Sequence, residues 1–126
     1  METQRPLILV IEDDRDIRDS ITEILEDEGF AVASAQDGEA GLAWLANNDA
    51  PALILLDLLM PRLDARGFRG EQMKNPAWAQ VPTVIMSADR SANERALELG
   101  ATAGVQKPVR IDDLLAVVST SMRAAI

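Results

Sequence analysis

An aspartate closes an aliphatic run at Leu53 to Pro61, LILLDLLMP. Leu53 to Leu56 is continuously apolar, as a strand buried on both faces requires, and Pro61 cannot extend such a ladder. Asp57 therefore stands at a strand tip, where a core residue would ordinarily be aliphatic. Three other strand-like runs also end on polar groups. Glu12, Asp13 and Asp14 follow Leu7–Ile11, Ser87 follows Thr83–Met86, and Lys107 follows Gly104–Gln106. Each has an ordinary reading on its own: acids precede helices because the dipole favours them, aspartates make turns, and lysines are usually exposed.

Brought to one cleft, the same residues support phosphoryl chemistry. Glu12, Asp13 and Asp57 would repel one another at short range and raise at least one pKa unless a cation intervened. Oxygen ligands favour Mg²⁺, which keeps waters and is commonly shared with a phosphate. A metal-held carboxylate can act as a nucleophile toward phosphorus. A lysine ammonium can pair with the transferring oxygens, and a hydroxyl on a neighbouring strand can hydrogen-bond another.

The elements that must position these groups alternate. After Leu7–Ile11, apolar residues at Ile17, Ile21, Ile24 and Leu25 predict a helix closed by Gly29. Phe30–Ala35 reads as a second strand, Asp37-Gly38 as a turn, and Ala40–Ala46 as a helix with Trp44 on its core face. The third strand ends at Asp57, and a helix is expected over Ala65–Lys74 with Asp64 as its cap. Asn75 to Val81 reads as a loop, in which Trp78 is a packing residue. Thr83–Met86, a fourth helix over Ala92–Leu99, Gly104–Gln106, and a last helix striped by Ile111, Leu114, Leu115, Val118 and Met122 complete the pattern. Five such alternations imply an α/β doubly wound parallel sheet with helices on both faces. Ligands of such sheets sit at the carboxyl ends of the strands, where Asp13, Asp57, Ser87 and Lys107 all fall.

Composition narrows the function. At 126 residues and 48% hydrophobic, the chain reads as one domain over 1–126, with no effector domain in it. It has no cysteine and no histidine, hence no thiol nucleophile, no imidazole base and no phosphohistidine of its own. The net charge of −9 is uneven: residues 1–64 hold 15 acids and 4 bases, residues 65–126 hold 6 acids and 8 bases. Neither half suits a phosphate backbone, so no direct nucleic-acid partner is expected. No apolar run approaches the roughly 20 residues of a membrane span, so no membrane partner is expected and a cytoplasmic location is the default.

LILVIEDD (Leu7–Asp14), LILLDLLMP with Asp64, VIMSA (Val84–Ala88) and Gln106-Lys107-Pro108 together resemble a response-regulator receiver domain, over nearly the whole chain. The resemblance implies a flavodoxin-like (βα)5 sheet in the order 2-1-3-4-5. It implies that Asp57 accepts a phosphoryl group from a phosphohistidine on a histidine kinase or histidine phosphotransfer protein, with Mg²⁺ as cofactor. Asp13, Asp57 and the Leu59 backbone carbonyl would ligate Mg²⁺, and Glu12 would act through water. Ser87 and Lys107 would contact the phosphoryl group, and the Lys107–Pro108 bond would be cis. Such a domain is not an enzyme toward other substrates, and its output is a protein contact with a downstream partner.

Three features stand apart from the family pattern or tune it. Ala65 follows Asp64 where the family often has glycine. Leu59 and Asp89 occupy positions where receivers adjust water access to the acyl phosphate. Gly104 stands where receivers usually carry Tyr or Phe, whose ring swings inward on activation. Without that ring, the expectation is that the fourth helix and its loop shift with no aromatic relay. The competing classes are a receiver-like interaction module working independently of phosphorylation, which Gly104 supports, and a phosphatase or nucleotide enzyme. The latter lacks a GxxxxGK[ST] or a Gly-rich dinucleotide loop, and Leu59 replaces the second acid a phosphatase would want.

Overall fold

The computed structural model describes residues 5–124. Five strands, β1 (Leu7–Ile11), β2 (Ala31–Ala35), β3 (Leu53–Asp57), β4 (Thr83–Ser87) and β5 (Ala103–Gln106), form one sheet in the order β2-β1-β3-β4-β5. Every pairing is parallel. The helices are α1 (Arg15–Asp27), α2 (Gly38–Asn47), α3 (Ala65–Lys74), α4 (Pro76–Ala79), α5 (Ala92–Glu98) and α6 (Ile111–Ala124).

The sheet is covered on both faces because its central strands alternate between two cores. Ile54 and Leu56 join Leu9, Ile11, Ile85, Leu45 and Phe68 on one side. Leu53 and Leu55 join Ile8, Val10, Val84, Leu25, Leu114 and Val118 on the other. All five residues of β3 are buried, and each fully buried leucine contributes about 1.5–3 kcal/mol. Trp44 and Trp78 pack partly buried against the first core, as packing residues should.

Helix starts follow side-chain caps. Asp14 accepts from the Ile17 amide at 3.0 Å, and Asp64 from the Gly67 amide at 3.0 Å. The Asp37-Gly38 turn is itself the start of α2: Asp37 accepts from the Ala40 amide at 2.8 Å while only 6% exposed. Asp37→Ala is therefore expected to cost about 1–2 kcal/mol, measured as a lower urea midpoint at unchanged slope.

One expectation is corrected. The Asn75–Val81 segment is not all loop, because Pro76–Ala79 makes a helical turn with Asn75 capping the Ala77 amide at 2.9 Å. Asn before Pro at the first helical position is the signal that could have found it. The sequence-expected fourth helix is thus α5, ending one residue earlier, and β5 begins one residue earlier than expected. The Lys107–Pro108 bond is cis, in agreement with the resemblance. Among the described residues, no helix is long and apolar enough to cross a membrane.

Candidate functional site

Register brings the polar strand ends to one level. Ile11 pairs with Leu56, Asp57 with Met86, and Ser87 with Gln106, so Glu12, Asp57, Ser87 and Lys107 each stand at the carboxyl edge of adjacent strands. They line a cleft of about 640 Å³ together with Asp13, Leu59 and Asp89. Glu12, Asp13 and Asp57 each present a carboxylate oxygen within 4.8 Å of the others.

Glu12 is fully buried and Asp57 only 4% exposed. A single cation meets both: the Lys107 ammonium lies 2.5 Å from Glu12 Oε1 and 3.0 Å from Asp57 Oδ1. Glu12 is further oriented by its neighbours, since Oε2 accepts from the Asp14 amide at 3.2 Å and its carbonyl from Arg18 Nη1 at 2.8 Å. Sequence reasoning found all three residues but not the ion pair between Glu12 and Lys107, which depends on how β5 is placed against the sheet.

Burial pushes the Asp57 carboxyl up to about 7 and the Glu12 carboxylate adds to this, while Lys107 pulls it down. For Lys107, burial disfavours the ammonium, yet hydrogen bonds to Glu12 and Asp57 outweigh it and hold its pKa above the ordinary lysine value. Two acids thus share one base, and the cleft has room for another positive charge. Its donors are all oxygen, which suits a hard divalent cation that keeps part of its water shell.

Ser87 Oγ accepts from the Asp89 amide at 3.0 Å, leaving the hydroxyl proton free to be donated. The Asp89 carboxylate is engaged within its own loop and by α5. It accepts from the Ser91 amide at 2.9 Å and hydroxyl at 2.7 Å, and Arg95 lies 3.6 Å away. Those bonds, the Ser91 amide foremost, lower its pKa. Leu59 stands at the mouth, 77% exposed. The turn after it holds Arg62 and Leu63 at φ 60° and 93°, conformations that cost about 1–3 kcal/mol each.

Gly104 is more than a missing ring. A Cβ there would collide with the Ala92 carbonyl and stand 2.6 Å from its carbon and 3.0 Å from the Asn93 nitrogen. The first turn of α5 occupies the space beside β5, and the Gly104 amide donates to Asn93 Oδ1 at 3.2 Å.

Fold and cleft define a class: a doubly wound parallel domain whose carboxyl edge holds a buried carboxylate between a lysine and further acids. The chain belongs to the response regulator receiver domain family, which matches residues 8–119. It is 36% identical over 118 residues to the response regulator MprA of Mycobacterium sp. (strain KMS), covering 92% of this chain. The chain spans about half the length of the curated relatives it matches, 50% for that one. The receiver domain of Francisella response regulator 1452 superposes with a TM-score of 0.84 at 27% identity, over 97% of this chain and all of that one. The signal receiver domain of a histidine kinase from Syntrophus aciditrophicus gives 0.84 at 25% identity, over 94% of this chain and 91% of that one. The chain is a phosphoacceptor signalling domain of a two-component system. Receiver domains of this family work with histidine kinases or phosphotransfer proteins and bind Mg²⁺ at an acidic cluster.

Proposed function

We propose that Asp57 is the phosphoacceptor, taking its phosphoryl group from a phosphohistidine on a histidine kinase or histidine phosphotransfer protein. The observation that carries this is the buried Asp57 carboxyl at the tip of β3, 3.0 Å from the Lys107 ammonium and grouped with Glu12 and Asp13. An Asp57 oxygen forms the new bond to phosphorus as the bond to the donor imidazole breaks, its electron pair staying on that nitrogen. Asp13, Asp57 and the Leu59 carbonyl are the direct ligands that would hold Mg²⁺, with Glu12 acting through water. The bound ion supplies charge neutralisation for the phosphoryl oxygens. Lys107 exchanges its Asp57 contact for a phosphoryl oxygen, and the Ser87 hydroxyl donates to another.

The domain turns over only its own acyl phosphate and signals by binding a downstream protein in the cytoplasm, without touching nucleic acid or membrane itself. A second reading, an interaction module indifferent to phosphate, draws on Gly104. Intact-protein mass after incubation with acetyl phosphate separates the two. A single phosphate adduct that requires Mg²⁺ and is removed by hydroxylamine is expected. No adduct, from a small donor or a phosphorylated kinase, would favour the second reading.

A further inference from the structure

At the opposite edge of the sheet, a second cleft of about 300 Å³ opens beside the first residues of β4 and β5. We propose that it binds a small oxyanion, a carboxylate or a phosphate, between the Arg69 guanidinium and the Ser121 hydroxyl.

Among the described residues, Arg69 is the only charged one lining this cleft, and it is 7% exposed. It forms no ion pair among the described residues. Its partners are all neutral: Nε donates to the Leu99 carbonyl at 3.2 Å, and Nη2 to the Gly100 carbonyl at 2.7 Å. Nη1 donates to Gln72 Oε1 at 2.8 Å and Thr83 Oγ1 at 3.4 Å. A guanidinium has five N–H groups, so among the described residues one on Nη2 is unspent and the positive charge meets no carboxylate. Buried charges are ordinarily paired.

Ser121 supplies an independent observation. It is 1% exposed on α6, lines the same cleft, and its hydroxyl has no hydrogen-bond partner among the described residues. Thr102, at the rim, accepts from the Thr83 amide at 3.3 Å through Oγ1, which leaves its hydroxyl proton available. A water would satisfy a hydroxyl but not the cation. Guanidinium and hydroxyl groups lining one cleft, with no acid among its described lining residues, match an oxyanion. The site shares no residue with the Asp57 cleft and does not depend on phosphotransfer there.

The test is a nuclear magnetic resonance titration of the Mg²⁺-free protein at constant ionic strength, with sodium acetate, inorganic phosphate and sodium chloride in separate series. Saturable shifts of the Arg69 Nε–H and the Thr102 and Ser121 amides are expected with acetate or phosphate but not with chloride. The saturating anion identifies the source class. Ser121→Ala removes an unpartnered group, so the fold is retained, and binding should weaken about fivefold, the worth of one neutral hydrogen bond. Arg69→Lys, lacking the planar fork, should abolish saturation. Shifts that stay linear, that chloride reproduces, or that Ser121→Ala leaves unchanged would overturn the proposal.

Discussion

Asp57→Asn is expected to take no phosphate adduct at all and, without Mg²⁺, to be more stable than the parent protein at pH 8. The first effect follows from chemistry, since an amide is no nucleophile toward phosphorus. The second follows from the raised pKa. The folded carboxyl titrates near 7, well above its ordinary 3.8. Between those values the native state keeps a proton that the unfolded chain has released, so stability falls as pH rises through the interval. Above pH 7 the full cost of the buried charge is present. Three pKa units set an upper bound of about 4 kcal/mol. Asparagine leaves the Lys107 ammonium with Glu12 alone, which offsets part of the gain, and a net of about 2 kcal/mol is expected. Urea denaturation from pH 4 to 8 should show a falling stability for the parent and a flatter profile for Asp57→Asn. Mg²⁺ should reverse the order at pH 8 by stabilising only the ionised carboxylate. Parallel profiles would show that Asp57 is solvated like any surface acid.

That strained carboxylate was legible in the sequence because LILLD puts an acid where the pattern demands an aliphatic residue. Lys107 and Ser87 were legible through topology and the resemblance: neither is unusual in type, and their meaning came from standing at successive strand ends within VIMSA and Gln106-Lys107-Pro108. The structure puts both at the cleft with Asp57. The resemblance named Glu12 as a ligand acting through water, and nothing in its spacing disclosed the 2.5 Å contact with Lys107. Such a contact depends on where β5 lies across the sheet. Arg69 was equally silent, because two arginines three residues apart in a polar helix, Arg66 and Arg69, give no sign that the second is buried to bond the Leu99 and Gly100 carbonyls. Gly104 was legible as an absence. What fills the space of the absent ring depends on helix docking, which a five-residue pattern does not encode.

Restoring an aromatic at Gly104 is therefore expected to damage the protein rather than repair a relay. Even the Cβ of Gly104→Ala meets backbone, with the Ala92 carbonyl carbon at 2.6 Å and the Asn93 nitrogen at 3.0 Å, so no side-chain rotation relieves it. Overpacking of this kind costs about 1–3 kcal/mol. Gly104→Phe should exceed that range, since its ring must displace the first turn of α5 altogether. The same contact suggests how the state of Asp57 is read. Ser87 Oγ holds the Asp89 amide, Asp89 holds Ser91, and Ser91 leads directly into Ala92 on its glycine seat. A Ser87 hydroxyl drawn toward phosphate would pull this loop and slide α5 over β5, backbone against backbone. Amide resonances of Asn93 and Gly104 should thus move on phosphorylation in the parent protein. In Gly104→Ala they should already be displaced and respond less. If Gly104→Ala matched the parent in urea midpoint and in its phosphorylation-dependent shifts, α5 would not be seated on this residue and the coupling would run elsewhere.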